Sequence, residues 1–180
     1  MNSPLSRWFL ALNVAAVVWI VPAHAAPPSA EQILNAAKSQ AAKENKAIYV
    51  HFGASWCGWC KRLDAFLDRP DVKTTFDKYF VPVKLVVQEN EKNKALENTG
   101  ADAILKQVGG PAGLPFSAFL DRSGKLIVNS NRNGEAGQNI GHPYQPAEVD
   151  WFLEMMKKAA PQISATDLET LETALRNQKK

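Results

Sequence analysis

Cysteine is scarce in this chain: Cys57 and Cys60 are the only two among 180 residues. Two cysteines cannot build the disulfide framework of a small secreted scaffold. A bridge across so short a loop also restrains the unfolded chain little, because the entropic gain grows with loop length. A purely stabilising disulfide is therefore a poor reason for the pair. Histidine is equally rare, at three residues. His51 and His142 with the two cysteines would offer two nitrogens and two sulfurs, but their spacing matches no zinc-finger pattern. No metal and no other cofactor is expected, and His142 reads as a loop residue. An excess of one charge is also missing: 21 basic and 18 acidic side chains are interspersed. That excludes a nucleic-acid-binding or membrane-binding face of the usual polybasic kind. There is no internal repeat, and low complexity is confined to the short "APPSA" arm.

Long apolar runs are absent except for one, and it lies at the start. Arg7 precedes residues 8–21, "WFLALNVAAVVWIV", which are too few to span a bilayer comfortably as a helix. Pro22 and the small-x-small triplet Ala23-His24-Ala25 follow. This is the pattern of a secretory signal peptide cut after Ala25. Residues 1–25 are read as that signal and 26–180 as one domain, exported to the periplasm or secreted. After cleavage no membrane association is expected, and the protein is expected to be a monomer.

What remains reads as alternating helices and strands. Ser29 with Gln32 forms a capping box for a helix to about Asn45. "AIYVHF" is a short apolar strand of the kind buried in a sheet. Residues 53–56 turn the chain, and a helix begins near Cys57 and passes through Leu63 and Phe66. Pro70 opens a second short helix. "VPVKLVV" is the next strand, followed by a polar stretch at 89–99 and a short helix at 101–108. The glycine- and proline-bearing "GGPAGLPFSAFLD" leads into a strand, and Ser123-Gly124 turns into "KLIVNS". A long polar loop at 129–144 precedes an amphipathic helix with Val149, Phe152, Leu153 and Met156. Thr166 with Glu169 is expected to start a last helix. The class is α/β: a mixed central sheet, with an early parallel pair, a late antiparallel hairpin, and helices on both faces.

Trp56-Cys57-Gly58-Trp59-Cys60-Lys61 follows a strand and opens a helix, and Gly113-Leu114-Pro115 precedes a later strand. On these residues the chain resembles the thioredoxin superfamily, with its WCxxCK motif and cis-proline loop. The resemblance covers roughly residues 33–159 and comes nearest to exported thioredoxin-like proteins with a WCGWC site. It implies the thioredoxin fold with extra terminal helices. It also implies a nucleophilic Cys57 at a helix N-terminus, where amide N–H groups and the positive dipole end favour the thiolate. Cys60, one turn further in, would resolve the mixed disulfide. Leu114 and a cis Pro115 would dock a substrate strand, and Trp56 and Trp59 would meet the substrate at the surface.

Two positions depart from the family. Thioredoxins proper carry a buried acid on the strand five residues before the motif tryptophan; here His51 stands there. It serves either as a proton relay for Cys60 or as a structural residue bonded within the strand layer. Lys84 falls where the family often has a lysine on the neighbouring strand, either tuning the field at His51 and Cys60 or reaching water. Trp59 replaces thioredoxin's proline, which restores a backbone N–H between the cysteines.

The resemblance implies an exported thiol–disulfide oxidoreductase acting on cysteine-containing proteins, with an unidentified redox partner. The tryptophan and lysine flanking the cysteines resemble reducing members, so a reductant or electron relay is expected. The alternative is a thioredoxin-fold binding module or metallochaperone whose cysteines hold a ligand. Metal content of the purified protein, measured beside disulfide reduction, separates the two.

Overall fold

The structure, a computed structural model, describes residues 26–110 and 113–178. The expected signal, residues 1–25, lies outside the described residues. Ser29 starts the first helix as its polar pattern demands. Its hydroxyl accepts the Gln32 N–H at 3.2 Å, and the Gln32 side chain accepts the Ser29 N–H at 2.8 Å. Helix α1 (Ala30–Glu44) ends at Asn45, whose φ of 56° places it in the left-handed region that asparagine tolerates.

Strand β1 (Ala47–Gly53) is buried along its whole length. It is central: β2 (Phe80–Val86) pairs with it in parallel, and β3 (Phe116–Leu120) pairs antiparallel on its other side. Strand β4 (Leu126–Asn129) completes the order β2-β1-β3-β4 through an antiparallel hairpin. This mixed sheet is the one expected. Pro82, which has no N–H to give a ladder, sits in β2 at an edge.

The period of two along β1 divides the interior. Ile48, Val50 and Phe52 join Leu34 of α1 and Leu105 of α4 (Ala101–Gln107) in one core. Tyr49 joins the other, with Phe76 of α3 (Pro70–Phe76), Phe152 and Met156 of α5 (Pro146–Ala159), and Leu171 and Leu175 of α6 (Ala165–Arg176). Aromatic rings fill this second core: Tyr49 and Phe119 centroids lie 4.9 Å apart, and Phe80 and Phe119 4.8 Å apart. By the same alternation His51 and Gly53 face the side of Tyr49, which is the side covered by α2 (Gly58–Leu67).

One local expectation shifts and two gain detail. The last helix starts not at Thr166 but one residue earlier, because Ser164 is the cap and accepts the Asp167 N–H at 3.1 Å. The helix expected within the polar stretch at 89–99 is a 3-10 helix, Glu91–Leu96, capped by Asn90. The polar loop at 129–144 is not featureless: it holds a 3-10 turn, Arg132–Gly134, and a bridge between Asn131 and Asn139.

Candidate active site

Helix α2 begins where Cys57 acts as its cap. Cys57 has extended backbone angles, and its Sγ accepts the Cys60 N–H at 3.1 Å. The first turn carries no acidic side chain, so nothing offsets the positive end of the helix dipole there. The two sulfurs are joined in a disulfide, with Cα atoms 5.3 Å apart. Cys57 is 5% exposed and Cys60 1%. Trp56 and Trp59 stand on either side, both about half exposed.

The cysteine turn is held from below by the chain that follows β2. The buried Glu89 carboxylate accepts the Ser55 N–H and, at 2.7 Å, the Ser55 hydroxyl. The Trp56 indole donates to the Gln88 carbonyl at 2.8 Å. Gln88 has a φ of 54°, an uncommon left-handed conformation for a side-chain-bearing residue, at the point where its carbonyl meets Trp56. Glu89 was not legible as a site residue, because nothing in its spacing ties it to Ser55, 34 residues earlier.

The second wall is the loop before β3. The Leu114–Pro115 peptide bond is cis. Leu114 packs on the small cluster of Ala54, Cys57 and Cys60, so this loop faces the disulfide. The Asn139 side chain donates to the carbonyls of Gly113 and Pro115, each at 3.0 Å, and accepts the Ser130 hydroxyl at 2.7 Å. A groove of about 310 Å³ runs between Trp59, Leu114, Pro115 and Tyr144.

Beneath α2 the helix and strand repeats match. Cys60 and Asp64 are one turn apart on one helix face, a rise of about 6 Å. Gly53 and His51 are two apart on one strand face, about 6.6 Å. The pairs therefore stack in register. A Cβ built on Gly53 would lie 3.2 Å from Cys60 Cβ and 3.3 Å from its Sγ, and His51 Nε2 lies 2.9 Å from Asp64 Oδ1. Gly53→Ala is expected to cost about 1–3 kcal/mol by overpacking. A urea titration checks it, and an unchanged midpoint would show that α2 yields freely.

The structure thus places His51 under the active-site helix, bonded to an acid that the sequence reading missed. Asp64 also binds the ammonium of Lys84, the residue paired with His51 across β1 and β2. Burial raises the Asp64 pKa, but the hydrogen bonds from His51 and Lys84 outweigh it and hold the carboxyl below 3.8. Lys84 is therefore an ion-pair partner, not a lysine reaching only water. The signal for Asp64 was its place four residues after Cys60, visible only once His51 was set beneath the helix.

His142 is buried, although its loop is polar. Its Nε2 lies 2.6 Å from the Gln178 side-chain oxygen, and its ring stacks on Trp59 with centroids 6.1 Å apart. Burial first, and then the charge of Arg62, lower its pKa below 6.5, against the opposing hydrogen bond that the ring donates to Gln178. A histidine held neutral by folding makes the unfolded chain the better proton binder. Its contribution is unpenalised above pH 6.5, and stability is lost as pH falls from there through the folded pKa. His142→Gln should flatten that loss in thermal melts between pH 7 and 5; an equal slope in both proteins would contradict it. Among the described residues, no group of three or more His, Cys, Asp or Glu side chains could hold a metal ion. His51 and His142 turn to Asp64 and Gln178 instead.

A family model described as thioredoxin-like matches residues 29–122. No curated protein matches the chain. Solved structures similar to it include a disulphide isomerase from Xylella fastidiosa Temecula1, at 19% identity over 88% of this chain and 96% of that one, with a TM-score of 0.49. The DsbH oxidoreductase is 18% identical over 94% of this chain and 96% of its own, with a TM-score of 0.40. The oxidised C-terminal domain of Neisseria meningitidis DsbD is 24% identical over 57% of this chain and 83% of its own, with a TM-score of 0.38. The matched span takes in more than half of the sequence and includes the strand, the Cys-x-x-Cys helix and the cis-proline loop just described, and on that ground the chain belongs to the thioredoxin-like family.

Proposed function

We propose that this thioredoxin-like thiol–disulfide oxidoreductase works outside the cytoplasm, reducing or relaying electrons to disulfides of cysteine-containing proteins. The observation that carries the reading is Cys57 at the start of α2, its sulfur on the Cys60 N–H, beside a groove walled by a cis proline. In the reduced protein the Cys57 thiolate attacks a substrate disulfide. One S–S bond breaks, a mixed disulfide forms and one substrate thiolate leaves. Cys60 then attacks the Cys57 sulfur and expels the second thiolate. The substrate gains two electrons, and the Cys57–Cys60 disulfide seen here is the product. In the groove, Leu114 would offer its backbone to an extended substrate segment, with Pro115, Trp56 and Trp59 around it.

Export rests on residues 1–25, whose short apolar run and Ala23-His24-Ala25 fit a cleaved leader. Among the described residues, no helix is long and apolar enough to cross a membrane. The mature protein should begin at Ala26 and be recovered outside the cytoplasm. N-terminal sequencing of the native protein checks this, and intact Met1 in the cytoplasmic fraction would overturn it. Insulin reduction tests the chemistry, and equilibration with glutathione gives the direction. A pair more oxidising than glutathione would reverse the proposed electron flow. Stoichiometric metal without disulfide exchange would favour the binding-module reading instead.

A further inference from the structure

Next to the substrate groove lies a second concavity of about 370 Å³, lined by Arg62, Phe66, Arg69, Tyr144 and Gln178 among others, with no acidic residue in its lining. His142 and Tyr144 wall both hollows, so the two adjoin. Their charges differ. In the groove, Glu148 is consumed as a cap, accepting the N–H groups of Tyr144 and Gln145. In the concavity, Arg69 is matched by Asp71 through two hydrogen bonds, at 3.1 and 2.6 Å. Arg62 is different. Its guanidinium lies over the Trp59 ring, 4.8 Å from the centroid, and has no carboxylate partner among the described residues.

Stacking on an aromatic face fixes the plane of a guanidinium and leaves its N–H edge available for a carboxylate. Trp59 is itself one residue from Cys60. A cation without a carboxylate partner among the described residues is thereby held in a set orientation on Trp59, in the concavity that adjoins the groove where a substrate strand would lie. We propose that Arg62, braced on Trp59, is a specificity residue that binds an acidic side chain close to the reacting cysteine of the protein substrate.

This rests on the oxidoreductase reading and deepens it. The test uses three disulfide-bridged peptides that differ only in carrying glutamate, glutamine or lysine beside the cysteine. At low salt the glutamate peptide should be reduced with a kcat/KM about fivefold above the glutamine peptide, the size expected of a partly exposed ion pair. The lysine peptide should fall below both. In Arg62→Gln the ratio of glutamate to glutamine peptide should collapse to about one. High salt should shrink it in the unaltered protein. Arg62→Lys should keep only part of it, since an ammonium lacks the planar fork. A merely structural role for Arg62 would lower all three peptides together and leave the ratio intact, and that result would overturn the proposal. Turnover with no discrimination in the unaltered protein would overturn it too while leaving the oxidoreductase reading standing. If no peptide is turned over, that reading fails. The subsite is then judged by titrating serine-for-cysteine versions of the peptides against tryptophan fluorescence, where equal affinities sink it.

Discussion

Cys57→Ser is expected to abolish disulfide exchange, and Cys60→Ser to stop it halfway. The asymmetry follows from the helix. Only Cys57 caps α2, where the Cys60 N–H points at its sulfur and the dipole end favours a thiolate. Without Cys57 no nucleophile remains, since these are the only two cysteines. Insulin reduction should drop to the uncatalysed rate. Without Cys60, the first attack proceeds but nothing expels the second thiolate, so a mixed disulfide accumulates at one substrate per protein. Non-reducing gels and mass spectrometry detect the adduct. Alkylation of the reduced protein at pH 6 should label Cys57 before Cys60. The reverse order of labelling, or an adduct trapped through Cys60 in Cys57→Ser, would invert the roles.

The second large effect belongs to His51 and Asp64. Asp64 is kept ionised at neutral pH by His51 and Lys84, so it is a poor resting place for a thiol proton. It is a good acceptor for the His51 Nε2–H. A neutral ring that donates from Nε2 carries no proton on Nδ1, and that buried Nδ1 has no hydrogen-bond partner among the described residues. His51 is thereby left with an open ring nitrogen beneath Asp64, one helical turn along from Cys60, with the ring oriented by a carboxylate. We expect His51→Ala to slow resolution of the mixed disulfide by about a hundredfold, the scale of general-base assistance. The first attack by Cys57 should stay nearly intact.

Asp64→Asn should slow resolution less and move its pH profile, because the amide can still hold the ring but no longer fixes its proton. His51→Asp should recover part of the rate, since it restores the family's acid. Stopped-flow kinetics from pH 6 to 8 reads all three variants. If His51→Ala resolves as fast as the unaltered protein across that range, the pair is structural and its loss shows only in stability, on the order of 1–3 kcal/mol for an unmet buried hydrogen bond.

These two predictions differ in how much of them the sequence carries. The expected cysteine roles rest on the family resemblance and on local order: an apolar strand, a turn, and a Cys-x-x-Cys at a helix start. The strands around Ile48 and Val83, the parallel pair, the late hairpin and the two-sided layering were legible for the same reason, because hydrophobic periods of two and 3.6 are written along the chain. The cis bond before Pro115 was expected from the family resemblance, since local energetics favour trans.

The surroundings of the site were decided by the tertiary structure. Asp64 reaches His51 because α2 crosses β1 at Gly53, where the absence of a Cβ lets Cys60 settle against the strand. Glu89 meets Ser55 because β2 lies parallel to β1 and delivers its following turn under the cysteines. His142, read from sequence as a loop residue, is buried against Trp59 because the C-terminal Gln178 returns to bond it. Among the described residues Arg62 is left without an acid for the same kind of reason: which charges find partners depends on elements far apart in the chain. By itself the sequence determined the sulfur chemistry and the layers that carry it, because these depend on neighbours within one or two turns. The His51–Asp64–Lys84 cluster and the charge beside the groove depend on contacts between distant segments, and only the folded chain brings those together.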